Sequence, residues 1–340
     1  DVHIKSNKPA FLRLSGRLES VEMEPIPPED VREFIEQSVP PEFFDDWVKN
    51  RQVDYSYRVE GIGRFRVNVF MQRRGLGAVF RVIPEDILSA KDLGLPETLL
   101  RLIDVPRGLI LVTGPTGSGK TTTLYSGLRH ISDTSQNILT VEDPIEYIFT
   151  HKKSIIGQRE VGLDTLSYDN ALREAMREAP DVIMIGEVRD AETMRVALSY
   201  AETGHLCLCT LHAAGTKQAL ERIQSFFPQE QVRRLWMDLS INLRAVVAQQ
   251  LLPRRDGDGR TVVVELMLST LLMQEHIKEG DVDKVNQLIS RASEYGMQTF
   301  DQALYNLYSQ GEITYEDALL YADSANDLRL MIKLGSDANT

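Results

Sequence analysis

A glycine-rich segment carries the clearest chemical signal in this sequence. Residues 114–121 read GPTGSGKT and match G-x-x-x-x-G-K-[ST] in full, between the apolar run 109–113 and a helix-like segment. Such a loop directs backbone N–H groups and a helix N-terminus at phosphate oxygens, while Lys120 reaches the β- and γ-phosphates and Thr121 binds Mg²⁺. The predicted ligands are therefore ATP and Mg²⁺, bound by Gly114, Pro115, Thr116, Gly117, Ser118, Gly119, Lys120, Thr121 and Thr122.

Acidic residues follow two further apolar runs. Residues 181–190 read DVIMIGEVRD, in which a strand ends at Gly186 and Glu187 where a Walker B segment has its carboxylate. Because Gly186 stands where an Asp is expected, Glu187 is predicted to polarise the attacking water more than to bind Mg²⁺ directly. Residues 140–147 contain Glu142, Asp143 and Glu146, which could bind Mg²⁺ or accept the proton of that water.

A fourth segment, residues 204–212, reads GHLCLCTLH and alternates like a strand between two histidines. The pair Cys207 and Cys209 has one residue between its members, which is too close for a structural zinc site, whose cysteines usually have two to four residues between them, and it is unsuited to an unstrained disulfide. Each histidine taken alone is more often a packed or surface residue than a ligand. We therefore predict no metal site from this spacing, and a reducing compartment.

Composition excludes several classes of protein. The 340 residues carry a formal net charge of -12, which argues against a surface that coats nucleic acid, since phosphate contacts need clustered Lys and Arg. No apolar run approaches the ~20 residues that span a bilayer, and the first residues do not resemble a signal peptide. The sequence predicts a cytoplasmic protein.

The chain is long enough for two domains. Residues 1–92 are predicted to form a small α/β domain with strands at 54–59 and 64–71 and a helix at 29–38, and residues 93–106 a linker that contains a short helix. Residues 107–340 alternate strand signals (109–113, 138–142, 182–185 and 206–211) with helix signals, including a helix at 168–179 that Pro180 ends. This alternation predicts a mostly parallel, covered sheet followed by a helical C-terminal region with N-caps at Thr299 and Thr314.

Taken together, the segments resemble the Walker A, Asp box, Walker B and His box of the secretion ATPase superfamily, which powers type II secretion, type IV pili and type IV secretion. They read GPTGSGKTTTLY, VEDPIEY, APDVIMIGEVRD and ETGHLCLCTLHA, with REVG at 159–162 between the second and third. The resemblance implies a RecA-like P-loop ATPase core. It assigns Glu187 as the Walker B glutamate, Glu146 as the acidic candidate of the Asp box, and His212 as a nucleotide-sensing histidine.

The N-terminal residues extend this resemblance. Residues 1–18 are similar to the opening of the first, PAS-like α/β domain of these ATPases, and residues 64–84 to its closing strands. Arginines of those strands reach the nucleotide in family members. The resemblance therefore nominates Arg66, Arg74 and Arg81 as arginine fingers, although each could equally be a solvated or ion-paired strand arginine.

The pilus retraction branch of the superfamily fits best. Extension and secretion motors usually carry a four-cysteine zinc insertion, whereas this chain has two cysteines, and residues 296–304 and 322–329 resemble the C-terminal region of retraction ATPases. Residues 272–280 depart from the signature of the main retraction motors, which favours the accessory, PilU-type branch. The resemblance implies a homohexamer at the cytoplasmic face of the inner membrane, with a main retraction motor and a membrane platform protein as partners.

Two other functions remain open at this stage. One is a type IV secretion or conjugation ATPase, against which the C-terminal region argues. The other is an adaptor that binds ATP without hydrolysing it and supports a partner motor. Intact Lys120 and Glu187 favour hydrolysis over the adaptor.

Overall fold

The computed structural model describes residues 1–14, 17–73, 75–84, 86–257 and 259–337, apart from the side chains of residues 42, 294, 336 and 337. The chain divides into two compact units, Asp1–Asp86 and Ile87–Thr340. Within the described residues, no helix is both long enough and apolar enough to cross a membrane. Each unit has its own hydrophobic core.

In the first unit, the described residues form one antiparallel sheet of six strands in the order β3-β2-β1-β6-β5-β4. Its core combines alternate strand residues such as Val67 and Val69 with Val31 and Ile35 of the first helix. The predicted strands and helix of this unit are present. The strands are β1 (Val2–Lys5), β2 (Phe11–Leu14), β3 (Arg17–Ser20), β4 (Gln52–Val59), β5 (Gly63–Gln72) and β6 (Gly75–Ile83), and the helices are α1 (Pro28–Ser38) and α2 (Phe44–Asn50).

In the second unit, the described residues form a seven-stranded sheet in the order β13-β12-β7-β11-β10-β8-β9, parallel except for β13. Its two faces are buried in separate cores, with Leu109 and Leu111 on one side and Ile110 and Val112 on the other. The strands are β7 (Gly108–Thr113), β8 (Asn137–Glu142), β9 (Ile155–Glu160), β10 (Val182–Ile185), β11 (Leu206–Leu211), β12 (Leu243–Pro253) and β13 (Arg260–Leu268).

Helices cover both faces of this second sheet, so the predicted α/β fold with a mostly parallel, covered sheet is confirmed. Thr299 and Thr314 cap helices as predicted, and Thr299 forms a complete capping box with Gln302. The helices are α3 (Glu97–Ile103), α4 (Lys120–Ile131), α5 (Tyr168–Ala175), α6 (Ala191–Glu202), α7 (Thr216–Ser225), α8 (Gln229–Asn242), α9 (Leu271–Glu279), α10 (Val282–Arg291), α11 (Phe300–Ser309), α12 (Tyr315–Leu320) and α13 (Ala325–Asp337).

Two predicted boundaries differ from the structure. The helix predicted at 168–179 ends at Ala175, because a 3₁₀ turn, Met176–Glu178, and a left-handed Ala179 (φ 46°) replace its last turn. Residues 93–106, predicted as a linker, belong to the second unit. The reason is that α3 buries Leu99 and Ile103, each 2% exposed, in the core beneath α4, and each such side chain stabilises the fold by about 1.5–3 kcal/mol.

Candidate nucleotide site

The four predicted motifs converge at one edge of the second sheet. Strands β7, β11, β10 and β8 are parallel neighbours, so the loops that follow them leave the sheet at the same edge. A cavity of about 390 Å³ lies there. Eleven of the residues predicted to act on the nucleotide line it: Thr116, Gly117, Gly119, Lys120, Thr121, Thr122, Glu142, Asp143, Glu146, Glu187 and His212.

The glycine-rich loop takes the shape that its sequence predicts. Gly117 and Gly119 have φ values of 79° and 86°, a left-handed conformation that favours glycine, and Gly119 is the N-cap of α4. Lys120 is buried, and its Nζ donates to the carbonyl oxygens of Gly114 and Pro115, both at 3.0 Å. Burial lowers the pKa of Lys120, and the negative charges of Glu187 and Glu146 oppose this shift.

Three residues of the predicted nucleotide site lie outside the cavity wall. Gly114 and Pro115 orient Lys120 through their carbonyl groups, and Ser118 is buried behind the loop, 3% exposed. Gly114 has no room for a side chain, because a Cβ there would lie 2.3 Å from Oγ of Ser118 and 2.4 Å from the carbonyl oxygen of Gln249. These residues therefore shape the loop rather than face the cavity.

Glu187 is held on both carboxylate oxygens. Nε of Arg189 donates to its Oε2 at 2.8 Å, and Nε2 of His212 lies 3.3 Å from its Oε1. Arg189 also approaches Oδ2 of Asp143 at 3.3 Å, which links the β8 and β10 loops. The hydrogen bond to Glu187 raises the pKa of Arg189. This arrangement fixes the direction of the Glu187 carboxylate, one of the acidic groups predicted to activate water.

His212 carries no fixed positive charge near neutral pH. Desolvation lowers its pKa below the ordinary 6.5, the Lys120 ammonium lowers it further, and Glu187 partly opposes both effects. A neutral imidazole can donate one hydrogen bond and accept another, so it can respond to a change at Glu187 without bringing a charge into the cavity.

The close packing of the backbone explains why a glycine, Gly186, follows β10. A Cβ on Gly186 would lie 3.0 Å from the hydroxyl of Tyr168 and 3.2 Å from Cα of Glu142. The backbone at this point runs directly against β8, where Gly186 N donates to the carbonyl oxygen of Val141 at 2.8 Å. The strand end is too close to its neighbour for an Asp, and the carboxylate comes one residue later, at Glu187.

Glu142 differs from the other acids of its segment because it is buried, 2% exposed. It accepts hydrogen bonds from the hydroxyl groups of Tyr125 and Thr140, the latter at 2.5 Å. Burial nevertheless raises its pKa to about 7. Asp143 and Glu146 are exposed, so of the three candidate acids Glu142 is the one placed to brace α4 against β8.

The three nominated arginines belong to the first unit. Arg66 and Arg81 are directly opposed on β5 and β6, so their like charges lie side by side. Ion pairs offset this, since Nε of Arg66 lies 4.0 Å from Asp54 and Nε of Arg81 lies 3.1 Å from Asp1. Arg74 lies outside the described residues. The role of these arginines at the nucleotide stays a prediction.

Cys207 and Cys209 are buried free thiols in β11, with their sulfur atoms 3.7 Å apart. Across the described ranges, no group of three or more His, Cys, Asp or Glu side chains is arranged to hold a metal ion.

Sequence reasoning missed one wall of the cavity. Leu251 of β12 and Arg260 of β13 line it, and Gln249 of β12 supports the glycine-rich loop from behind. These residues lie about 130 positions from the loop in sequence and become its neighbours because β12 pairs with β7. The available signal was a hairpin pattern, two apolar runs around the glycine-containing turn 254–259.

The site fits a nucleoside triphosphate with Mg²⁺. A Cβ on Gly117 would meet nothing within 4 Å, so the loop presents bare backbone to the cavity, and Lys120 uses two of its three N–H donors on the loop itself. The Thr121 hydroxyl group, on the first turn of α4, is the group that would hold Mg²⁺ together with the phosphates.

Comparison with known proteins agrees with this chemistry. The family described as "Type II/IV secretion system protein" matches residues 56–319. The chain is 50% identical to the type IV pilus ATPase PilU of Pseudomonas aeruginosa over 341 residues, covering 100% of this chain and 89% of PilU. It belongs to this family, as a PilT/PilU-like type IV pilus ATPase.

Two further comparisons support the assignment. PilT of Pseudomonas aeruginosa, described as a type IV pilus retraction ATPase, is 41% identical over 94% of this chain and 92% of its own length. The crystal structure of the pilus retraction motor PilT with bound ADP matches with a TM-score of 0.91 and 42% identity, over 96% of this chain and 94% of that one. The resemblance inferred from the motifs is confirmed, and the identity is higher with PilU than with PilT.

Proposed function

We propose that this pilus ATPase hydrolyses ATP in a homohexamer and drives type IV pilus retraction, as the accessory motor beside a main retraction motor. The observation that carries the proposal is the convergence of Lys120, Glu187 and His212 in one cavity. The higher identity with PilU than with PilT supports the accessory role. Its place of action would be the cytoplasmic face of the inner membrane, on the platform protein of the pilus.

Each residue of the candidate nucleotide site would have its own role in hydrolysis. The glycine-rich loop and Lys120 would hold the β- and γ-phosphates, and Glu187 would orient the attacking water and accept its proton. Bound Mg²⁺ would supply neutralising charge to the phosphates. His212, which contacts Glu187, would sense the nucleotide through a change in its hydrogen bond to that carboxylate. Arg66, Arg74 or Arg81 would stabilise charge on the transferred phosphoryl group, and these arginines would enter as the first unit moves.

We further propose that the nucleotide cycle rotates the first unit about its junction with the second, near Asp86 and Ile87. Rotation within residues 93–106 would instead pull Leu99 and Ile103 out of the second core, which makes that segment a poor hinge. Structures with an ATP analogue and with ADP test this. Identical orientations of the two units in both would contradict the rotation.

Steady-state ATP hydrolysis tests the catalytic proposal. The purified protein is measured alone and mixed with a main retraction motor, as wild type, Lys120→Ala and Glu187→Gln. Lys152→Ala and Glu202→Gln serve as matched controls on exposed residues outside the cavity. We expect hydrolysis to fall at least about 100-fold in both site variants, with nucleotide binding retained in Glu187→Gln.

The mixture separates the possible roles. If the protein hydrolyses ATP without the main retraction motor and both site variants lose that activity, it is an autonomous motor. If its hydrolysis is weak by itself and rises when the main retraction motor is added, it is an accessory motor. Hydrolysis by the mixture that is unchanged by Glu187→Gln, together with normal pilus retraction in cells, would contradict hydrolysis by this chain and favour a nucleotide-binding adaptor.

A further inference from the structure

Gln249 lies directly behind the glycine-rich loop. It follows Ala248, which pairs with Thr113 in the ladder between β12 and β7, so position 249 is level with the start of the loop at Gly114. Its side chain is 1% exposed, and its Nε2 donates to the carbonyl oxygen of Ser118 at 2.6 Å. A buried, directional hydrogen bond therefore joins a neighbouring strand to the centre of the loop.

This bond fixes the direction of an N–H group one residue later. The peptide between Ser118 and Gly119 is planar and trans, so its C=O and N–H point in opposite directions. Because Gln249 holds the carbonyl from behind, the N–H of Gly119 points away from β12, and Gly119 is a residue of the cavity wall. Among the described residues, this N–H has no hydrogen-bond acceptor.

Glycine at position 119 makes such support necessary. Its φ of 86° lies in the left-handed region that glycine adopts easily, so residue 119 itself offers little resistance to rotation of this peptide plane. A Cβ at this position would also lie 3.1 Å from Nε2 of Gln249, which shows how closely the amide approaches the loop. The Gln249 amide thus restricts the orientation of one of the peptides whose N–H groups are available to phosphate.

We propose that Gln249 is a positioning residue for phosphate binding, which orients the Gly119 N–H toward the polyphosphate through its hydrogen bond to the Ser118 carbonyl. This inference rests on the proposed nucleotide function. It predicts that loss of the Gln249 amide weakens the binding of any polyphosphate, including one without a nucleoside, because the affected donor acts on phosphate oxygens.

The test compares Gln249→Met with Gln250→Met in the full chain. Methionine keeps the length and bulk of glutamine without the amide, and the side chain of Gln250, on the opposite face of β12, makes no hydrogen bond among the described residues. Dissociation constants for ADP and inorganic tripolyphosphate are measured by calorimetry. We expect Gln249→Met to weaken both about 10- to 100-fold and Gln250→Met to change them less than about twofold.

A second variant keeps the test informative if Gln249→Met folds poorly. In Gln249→Glu a protonated carboxyl group can donate to the Ser118 carbonyl, whereas a carboxylate cannot. Burial raises the pKa of the new carboxyl group above the ordinary value of about 4.3, so the ratio of variant to wild-type dissociation constants should rise between about pH 5 and 9 as the group loses its proton, which a purely structural defect would not produce.

The outcomes separate the two proposals. If the wild type binds tripolyphosphate and folded Gln249→Met binds within twofold of it, the role of Gln249 is overturned while the nucleotide site stands. A ratio for Gln249→Glu that is independent of pH overturns it as well. A wild type that binds neither ADP nor tripolyphosphate overturns the nucleotide function itself.

Discussion

His212 and Glu187 come from the ends of two adjacent strands, and Nε2 of the histidine lies 3.3 Å from Oε1 of the glutamate. The other oxygen of Glu187 is bound to Arg189 at 2.8 Å. The carboxylate is therefore held by one permanent cation and one group that is neutral near pH 7, because burial lowers the pKa of His212.

Replacing His212 with Gln should lower the rate of ATP hydrolysis roughly 10- to 100-fold, because Glu187 loses one of its two fixed contacts. ADP affinity should change less than about threefold, since the histidine contacts the carboxylate. His205→Gln is the control, because His205 lies at the other end of β11 and bonds to Tyr200. Unchanged hydrolysis in His212→Gln, or an equal loss in both variants, would contradict this role.

Replacing Gly186 with Ala should impair both folding and catalysis. The new methyl group would push against Tyr168 and the β8 backbone, at a cost of about 1–3 kcal/mol in the free energy of unfolding, and would displace Glu187 next to it. The control is Gly157→Ala on β9, where a Cβ would make an ordinary contact of 3.4 Å with Leu139. Urea unfolding and ATP hydrolysis measure the two effects. Equal stability of the two variants would show that the space is not limiting.

Glu142 should give the unfolding free energy a distinctive pH dependence. Its pKa is raised in the folded state from 4.5 to about 7, so the folded protein retains this proton more strongly than the unfolded chain. The resulting stabilisation is fully present below pH 4.5 and is lost as pH rises through about 7. At about 1.36 kcal/mol per pH unit, the full change is roughly 3 kcal/mol.

Glu142→Gln should remove that dependence, so that stability falls less steeply between pH 5 and pH 8 than in the wild type. Urea titrations at several pH values measure it, with Glu230→Gln, on an exposed residue of α8, as the control. Parallel pH profiles for wild type and Glu142→Gln would exclude Glu142 as the source.

Arginine fingers would act on hydrolysis and leave binding intact. Arg66→Gln and Arg81→Gln are each expected to bind ATP normally, and the variant that removes a finger should hydrolyse it at least about 100-fold more slowly. Arg58→Gln is the control, on an exposed residue of the neighbouring β4. If neither variant hydrolyses ATP more slowly than the control, both residues are ordinary strand arginines held by Asp54 and Asp1.

The convergence of the motifs at one edge of the second sheet could be predicted from the sequence, because each motif follows a short apolar run and parallel strands bring their carboxyl ends together. Prediction from the sequence failed where the contacting residues are far apart along the chain. Gln249 and Arg260 belong to a hairpin with no recognisable chemistry of its own. Gly94, Pro96 and Pro106 favour a linker at residues 93–106. The four-residue spacing of Leu99 and Ile103 instead indicates a buried helix face, and the structure follows that spacing.

Strand β12 has different neighbours on its two faces. Ala248 is buried in a cluster with Phe300, Leu304 and Leu328 of the C-terminal helices, and the next residue, Gln249, holds the glycine-rich loop. Only the thickness of one strand separates the C-terminal helices from the glycine-rich loop. No described residue after Thr299 lines the cavity, and we expect truncation before α11 to weaken nucleotide binding all the same, because it removes the packing that holds β12.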